Sequence, residues 1–131
     1  MIVVDTNVIS YFWLPSEYSE NAKRLLRSDP EWVVPPLWRS EFRNVLFFYI
    51  RKKLVPEESA IEIMEKAEKM FKGMEYFIHS HEIISKVSLC TLSAYDLEYV
   101  VLAEGLGLKL ITLDRKILAE FPGMAKSLRD Y

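Results

Sequence analysis

An alternation along the chain limits its fold more than any other feature. Short apolar runs at residues 2–4, 32–34, 76–78 and 109–112 take turns with longer stretches whose apolar residues recur every three or four positions. Ile2-Val3-Val4 ends at Asp5, and residues 16–28 follow as a helix through Ala22, Leu25 and Leu26. Trp32-Val33-Val34 is closed by Pro35-Pro36 and precedes a helix over residues 37–54, with Leu37, Phe42, Val45, Leu46, Tyr49 and Ile50 on one side. Pro56 opens the next helix, whose stripe of Ile61, Met64, Ala67, Met70 and Phe71 stops at Gly73. Tyr76-Phe77-Ile78 reads as a third strand. The spacing then predicts a helix from an N-cap at Ser80 to Thr91, with Ile83, Ile84, Val87 and Cys90 turned inward. Ser93 caps a further helix that ends at Gly105-Leu106-Gly107, and Lys109-Leu110-Ile111-Thr112 is the fourth strand. Residues 115–120 suit a helical turn or two, and residues 125–129 a short edge strand. This order implies an α/β fold with a central, mostly parallel sheet of about four or five strands flanked by helices. No repeat or Ser/Gly-rich linker divides the chain, so residues 1–131 are expected to form one domain.

Composition narrows the setting. One cysteine, Cys90, cannot build a disulfide framework, and neither a basic leader nor a long apolar run marks a secreted or membrane-spanning chain. A cytoplasmic protein with no membrane partner is the expectation. The net charge is −2, with 17 basic residues against 19 acidic ones, so charge alone does not announce a nucleic-acid ligand.

In a parallel sheet the functional groups collect beyond the carboxyl ends of the strands, and four acids fall there. Asp5 ends the first strand and Asp114 follows the fourth. Glu41 lies in the first turns of the helix after the second strand, and Asp96 in the first turn of the helix before the fourth. Singly, each has an ordinary role at a helix start or in a loop. Together they would repel one another unless a cation joined them, and their hard oxygen donors suit Mg²⁺ or Mn²⁺. Thr6, Asn7 and Thr112 are polar neighbours that can hydrogen-bond to the carboxylates. No His/Cys set has zinc spacing.

Asp5-Thr6-Asn7 after a β-branched run resembles the PIN domain, as does Ser40-Glu41 followed by Asn44 and Leu46. So do Ser93-Ala94-Tyr95-Asp96 opening a helix that closes Ala103-Glu104-Gly105, and Leu110-Ile111-Thr112-Leu113-Asp114. More narrowly, the chain is similar to the VapC-type toxins of type II toxin–antitoxin systems. The resemblance implies an endoribonuclease that hydrolyses RNA phosphodiester bonds with water activated by Mg²⁺ or Mn²⁺, leaving a 5′-phosphate and a 3′-hydroxyl. It makes Asp5, Glu41, Asp96 and Asp114 the metal ligands and Thr112 a hydroxyl aid, and it implies a VapB-like antitoxin and a homodimer. Glu98 departs from the commoner pattern. Lying two residues after Asp96, it is turned about 200° away on a helix and stays outside the set.

Arg39 and Arg115 stand next to site acids and, with Asn7, are the candidates for RNA contact; Arg51-Lys52-Lys53 suit a solvated helix end. Tyr11, Phe12, Trp13 and Leu14 are candidates for partner contact. His79 and His81 could form a metal-free acid/base pair, but they lie at the end of an expected edge strand beside Ser80, where surface or capping roles are sufficient. A receiver domain would need adjacent acids after the first strand. A haloacid-dehalogenase-like phosphatase would need Asp where Asn7 stands, and a dinucleotide binder would need glycines there. The remaining alternatives are a stand-alone PIN-domain nuclease of RNA processing, or a binding module without catalysis. Removing the four acids from the count leaves 15 acidic against 17 basic residues, a mildly basic frame around an acidic centre.

Overall fold

The computed structural model describes residues 1–131. Its element order is β1 (Ile2–Val4), α1 (Thr6–Trp13), α2 (Ser19–Ser28), β2 (Trp32–Val33), α3 (Trp38–Arg51), α4 (Glu57–Met70), α5 (Ser80–Ile84), α6 (Ala94–Leu106), β3 (Leu110–Thr112), α7 (Arg115–Glu120) and β4 (Ala125–Ser127), with a closing 3₁₀ turn at Leu128–Asp130. The four strands form one all-parallel sheet in the order β2-β1-β3-β4. β1 is central, pairing Val3 with Val33 on one side and with Leu110 on the other. All three of its residues are buried, as a strand covered on both faces requires.

The two-residue period of the strands divides the core. Ile2, Val4, Trp32, Val34 and Ile111 point to one face and pack with Val8, Ile9, Trp38, Phe42 and Phe71 from α1, α3 and the end of α4. Val3, Val33 and Leu110 point to the other and meet Leu97, Val100 and Ile117 from α6 and α7. Because β2 and β3 lie on opposite sides of β1, the chain leaves the sheet in opposite directions at its carboxyl edge, which opens a crevice at the ends of β1 and β3. No helix is long and apolar enough to cross a membrane.

Four sequence expectations need correction. Residues 76–78 form no strand; only the bridge from Val34 to Glu75 touches the sheet, and Phe77 is 89% exposed. The helix expected over residues 80–91 stops at Ile84, leaving Ile84 and Val87 in solvent. Three residues among 83–87 are β-branched, and of these only Ile83 packs against the core, so neither propensity nor packing extends the helix. His79, not Ser80, occupies its N-cap position. Finally, residues 6–13, to which the spacing assigned no element, form α1. Asp5 explains it, since its carboxylate accepts from the Thr6 backbone N–H at 2.7 Å and caps the helix as the strand ends.

Candidate active site

Asp5 is both the last residue of the β1 path and the N-cap of α1, which fixes its carboxylate at the crevice. Its backbone N–H donates to the Ile111 carbonyl at 3.1 Å, tying it to β3. Its Oδ2 accepts from Thr112 Oγ1 at 2.7 Å and from Asn7 Nδ2 at 3.2 Å. Thr112 Oγ1 in turn accepts from the Asp114 backbone N–H at 3.0 Å, and Asp114 caps α7 by accepting from the Ile117 N–H at 3.0 Å. A single threonine thus couples the acids that end β1 and β3. Asp96 sits in the first turn of α6, which Ser93 caps through the Asp96 N–H, as the sequence predicts.

Glu41, in the first turn of α3, reaches the same edge. Its Oε1 accepts from the Tyr99 hydroxyl at 2.6 Å and from the Thr6 hydroxyl at 2.9 Å, and these two hydroxyls also touch each other. Thr6 comes from α1 and Tyr99 from α6, so three helices meet on one carboxylate oxygen. Tyr99 escaped the sequence reading. The signal for it was a phenol inside the apolar run of α6, three residues after Asp96 and hence within about 60° of it around the helix.

The electrostatics show negative charge gathered in a partly dry place. Burial, followed by the charges of Glu41 and Asp96, pushes Asp5 up to about 7 against the Thr112 and Thr6 hydrogen bonds that favour its ionised form. Burial raises Asp96 too, with Asp114 and Glu41 adding repulsion and Lys116 opposing it. Burial and then the charge of Glu41 raise Tyr99, keeping the phenol a donor. Glu98 is raised by burial and then by the charge of Glu41, so it feels the site's field despite the angle that set it apart. Asn7 Oδ1 is buried without a partner.

The acids share an edge without closing into a cage: no three His, Cys, Asp or Glu side chains are drawn together at metal-holding spacing. Even so, all the converging donors are hard oxygens, and a buried acid near 7 with an orphaned amide oxygen beside it is a site short of positive charge. That chemistry fits a divalent cation that retains part of its water.

The basic candidates divide. Arg39 is two residues from Glu41 and therefore about 200° around α3 from it. Its Nε and Nη2 donate to the two oxygens of Glu75, each at 2.8 Å, while Nη1 pairs with Glu68. The Arg39 hydrogen bonds hold Glu75 below the usual carboxylate range, and Trp38 Nε1 donates to it as well, at 2.8 Å. Arg39 is thus committed to a structural cluster, and the RNA contact expected of it is withdrawn. Arg115 and Lys116 are exposed on the first turn of α7, beside Asp114, and it is Lys116 whose charge reaches Asp96. His79 and His81 stack at 5.9 Å between ring centroids, both exposed. Leu14 is buried at 2% exposure, and Tyr11, Phe12 and Trp13 are partly buried against the larger core, so Leu14 is unavailable for the partner contact expected of it.

A four-stranded parallel sheet with acids at the ends of β1 and β3 and on the first turns of the helices beside them is the arrangement of a PIN domain. The model of that family matches residues 2–123, and the chain belongs to it. It is 32% identical, over 94% of its length and 96% of the relative's, to Ribonuclease VapC3 of Pyrobaculum aerophilum. Its fold is similar to FitAcB of Neisseria gonorrhoeae, with a TM-score of 0.75, 19% identity and full coverage of both chains. It is also similar to a toxin–antitoxin complex from Klebsiella pneumoniae, with a TM-score of 0.60, 21% identity and 98% of each chain covered.

Proposed function

We propose that the chain is a divalent-metal-dependent endoribonuclease, the toxin of a VapBC-type pair. The observation that carries this reading is the gathering of Asp5, Glu41, Asp96 and Asp114 at one sheet edge, with Asp5 buried and facing the charges of Glu41 and Asp96. A folded domain keeps so unfavourable a cluster where function requires it. The whole-length similarity to a protein named as a ribonuclease supports the same activity.

Asp5, Glu41, Asp96 and Asp114 would hold Mg²⁺ or Mn²⁺. When bound, the cation neutralises the cluster, makes water a stronger nucleophile and stabilises charge on the phosphate. The protein's part is orientation. Thr112 and the Thr6 N–H fix the two oxygens of Asp5, and Thr112 fixes the backbone at Asp114. Asn7 Nδ2 donates to Asp5 Oδ2 at 3.2 Å and to Thr112 Oγ1 at 3.3 Å, so Asn7 would help to orient Asp5 and is the further candidate for contact with the RNA backbone. Arg115 and Lys116, exposed at the start of α7, supply cations for the phosphates flanking the cut.

An antitoxin and a homodimer partner complete the reading. The likeness in fold to a chain of a toxin–antitoxin complex supports the first. Exposed large apolar side chains, among them Phe47, Phe48, Leu54 and Ile61 on and around α3 and α4, offer surface for either. An apolar groove of about 310 Å³ lies between these two helices, lined by Phe47, Ile50, Ile61 and Met64, and none of the four acids borders it. Expression in a bacterial host tests the function. The wild-type chain should arrest growth and degrade RNA, and Asp5→Asn should do neither; intact RNA under wild-type expression removes the toxin reading.

A further inference from the structure

We propose that Tyr99 is a positioning residue: with the Thr6 hydroxyl it fixes Glu41 by Oε1 and leaves Oε2 as the oxygen free to ligate the cation. Glu41 swings on three rotatable bonds, is only partly buried, and faces the charges of Asp5, Asp96 and Glu98. Untethered, it gains both entropy and electrostatic relief by turning out to solvent. Two hydroxyl donors on one oxygen, at 2.6 and 2.9 Å, oppose that motion. Each donor is itself immobile. The Tyr99 ring has no exposed surface and is packed among Val3, Leu97, Leu110 and Ile117, while Thr6 opens α1 with only 7% exposure. Complete burial also keeps the phenol from touching RNA, so any effect of Tyr99 on the reaction passes through Glu41. No hydrogen bond occupies Oε2, and the helix that carries Tyr99 also carries Asp96. One rigid element therefore places a candidate ligand and aims another.

This inference rests on the proposed metal-dependent function, and its test is separable from that function. Mn²⁺ binding to the intact protein is measured by calorimetry without RNA, for wild type, Tyr99→Phe, Glu41→Gln and the double variant. Phenylalanine preserves the buried ring. The expected result is a loss of Mn²⁺ affinity of roughly tenfold or more in Tyr99→Phe. On the Glu41→Gln background the same change should alter affinity by less than about twofold, because the group that Tyr99 positions no longer carries charge. An equal loss on both backgrounds, or wild-type affinity in Tyr99→Phe or in Glu41→Gln, overturns the inference. If Tyr99→Phe does not fold, Thr6→Val removes the other hydroxyl at nearly constant volume and is read against the same criteria. Binding that follows the expected pattern in a protein that cuts no RNA supports the tether and contradicts the nuclease; absence of Mn²⁺ binding in wild type removes both.

Discussion

Asp5 carries a cost that a single substitution can expose. Its carboxyl lies near 7 in the metal-free fold against 3.8 for an ordinary aspartate. Between those values the folded chain holds a proton that the unfolded chain has released. Metal-free stability is therefore fully present below about pH 4, falls as pH rises toward 7, and is level above it. Asp5→Asn removes the charge, and asparagine caps a helix as well as aspartate does. The variant is expected to be more stable than wild type at pH 8, by on the order of 1–3 kcal/mol, with the difference shrinking toward pH 4. Metal-free thermal melts across that range measure it. The same proton must leave when a cation binds, so calorimetry should find Mn²⁺ affinity rising with pH up to about 7. Arg39 makes the opposite case, a residue beside a site acid that serves the fold. Arg39→Ala should lower stability by about 1 kcal/mol, since the pair with Glu75 is partly exposed, and should leave metal-dependent cleavage nearly intact. A large loss of activity in a folded Arg39→Ala protein would return that side chain to the site.

At the level of elements, Ser93 is the cap on which the placement of Asp96 and Tyr99 depends. Ser93→Ala should cost about 1 kcal/mol, read as a drop of a few degrees in Tm. Gly107 ends the same helix at φ +66°, where a side chain is strained, and Gly107→Ala should cost a similar amount. These caps were legible in the sequence because their residue types report backbone geometry directly. So were β1, β3 and α3, whose apolar periods match the layers that bury them. What failed was any element whose period had no layer to pack against. Residues 76–78 have strand composition but only one bridge, and residues 85–91 have helical spacing but leave Val87 and Leu89 in solvent, with Cys90 alone against the core. α1 was hidden for the converse reason. Asp5 was recognised for its charge, while its second role as N-cap shows only once the strand is known to end there. In the candidate site, the four acids were legible as candidates from their places at element ends. The Tyr99 and Thr6 tether was not, because it joins residues 93 positions apart and only the packed sheet brings them together.

Across the whole molecule, the −2 charge conceals two regions: an acidic crevice, and a remainder in which 17 basic residues exceed the 15 acidic ones outside the four site acids. A cation in the crevice would remove much of its repulsion toward phosphate. The apolar groove between α3 and α4 is bordered by none of the four acids, so a partner seated there would leave the crevice open. The central claim is that these carboxylates act together through a divalent cation to cut RNA. Its most direct measurement is cleavage of a single-stranded RNA by purified wild type and Asp96→Asn across a Mn²⁺ titration, with a parallel EDTA arm. Wild type should cleave only with metal, EDTA should abolish the activity, and Asp96→Asn should lose roughly a hundredfold or more. Cleavage that survives EDTA, or near-normal cleavage by Asp96→Asn, would contradict the assignment.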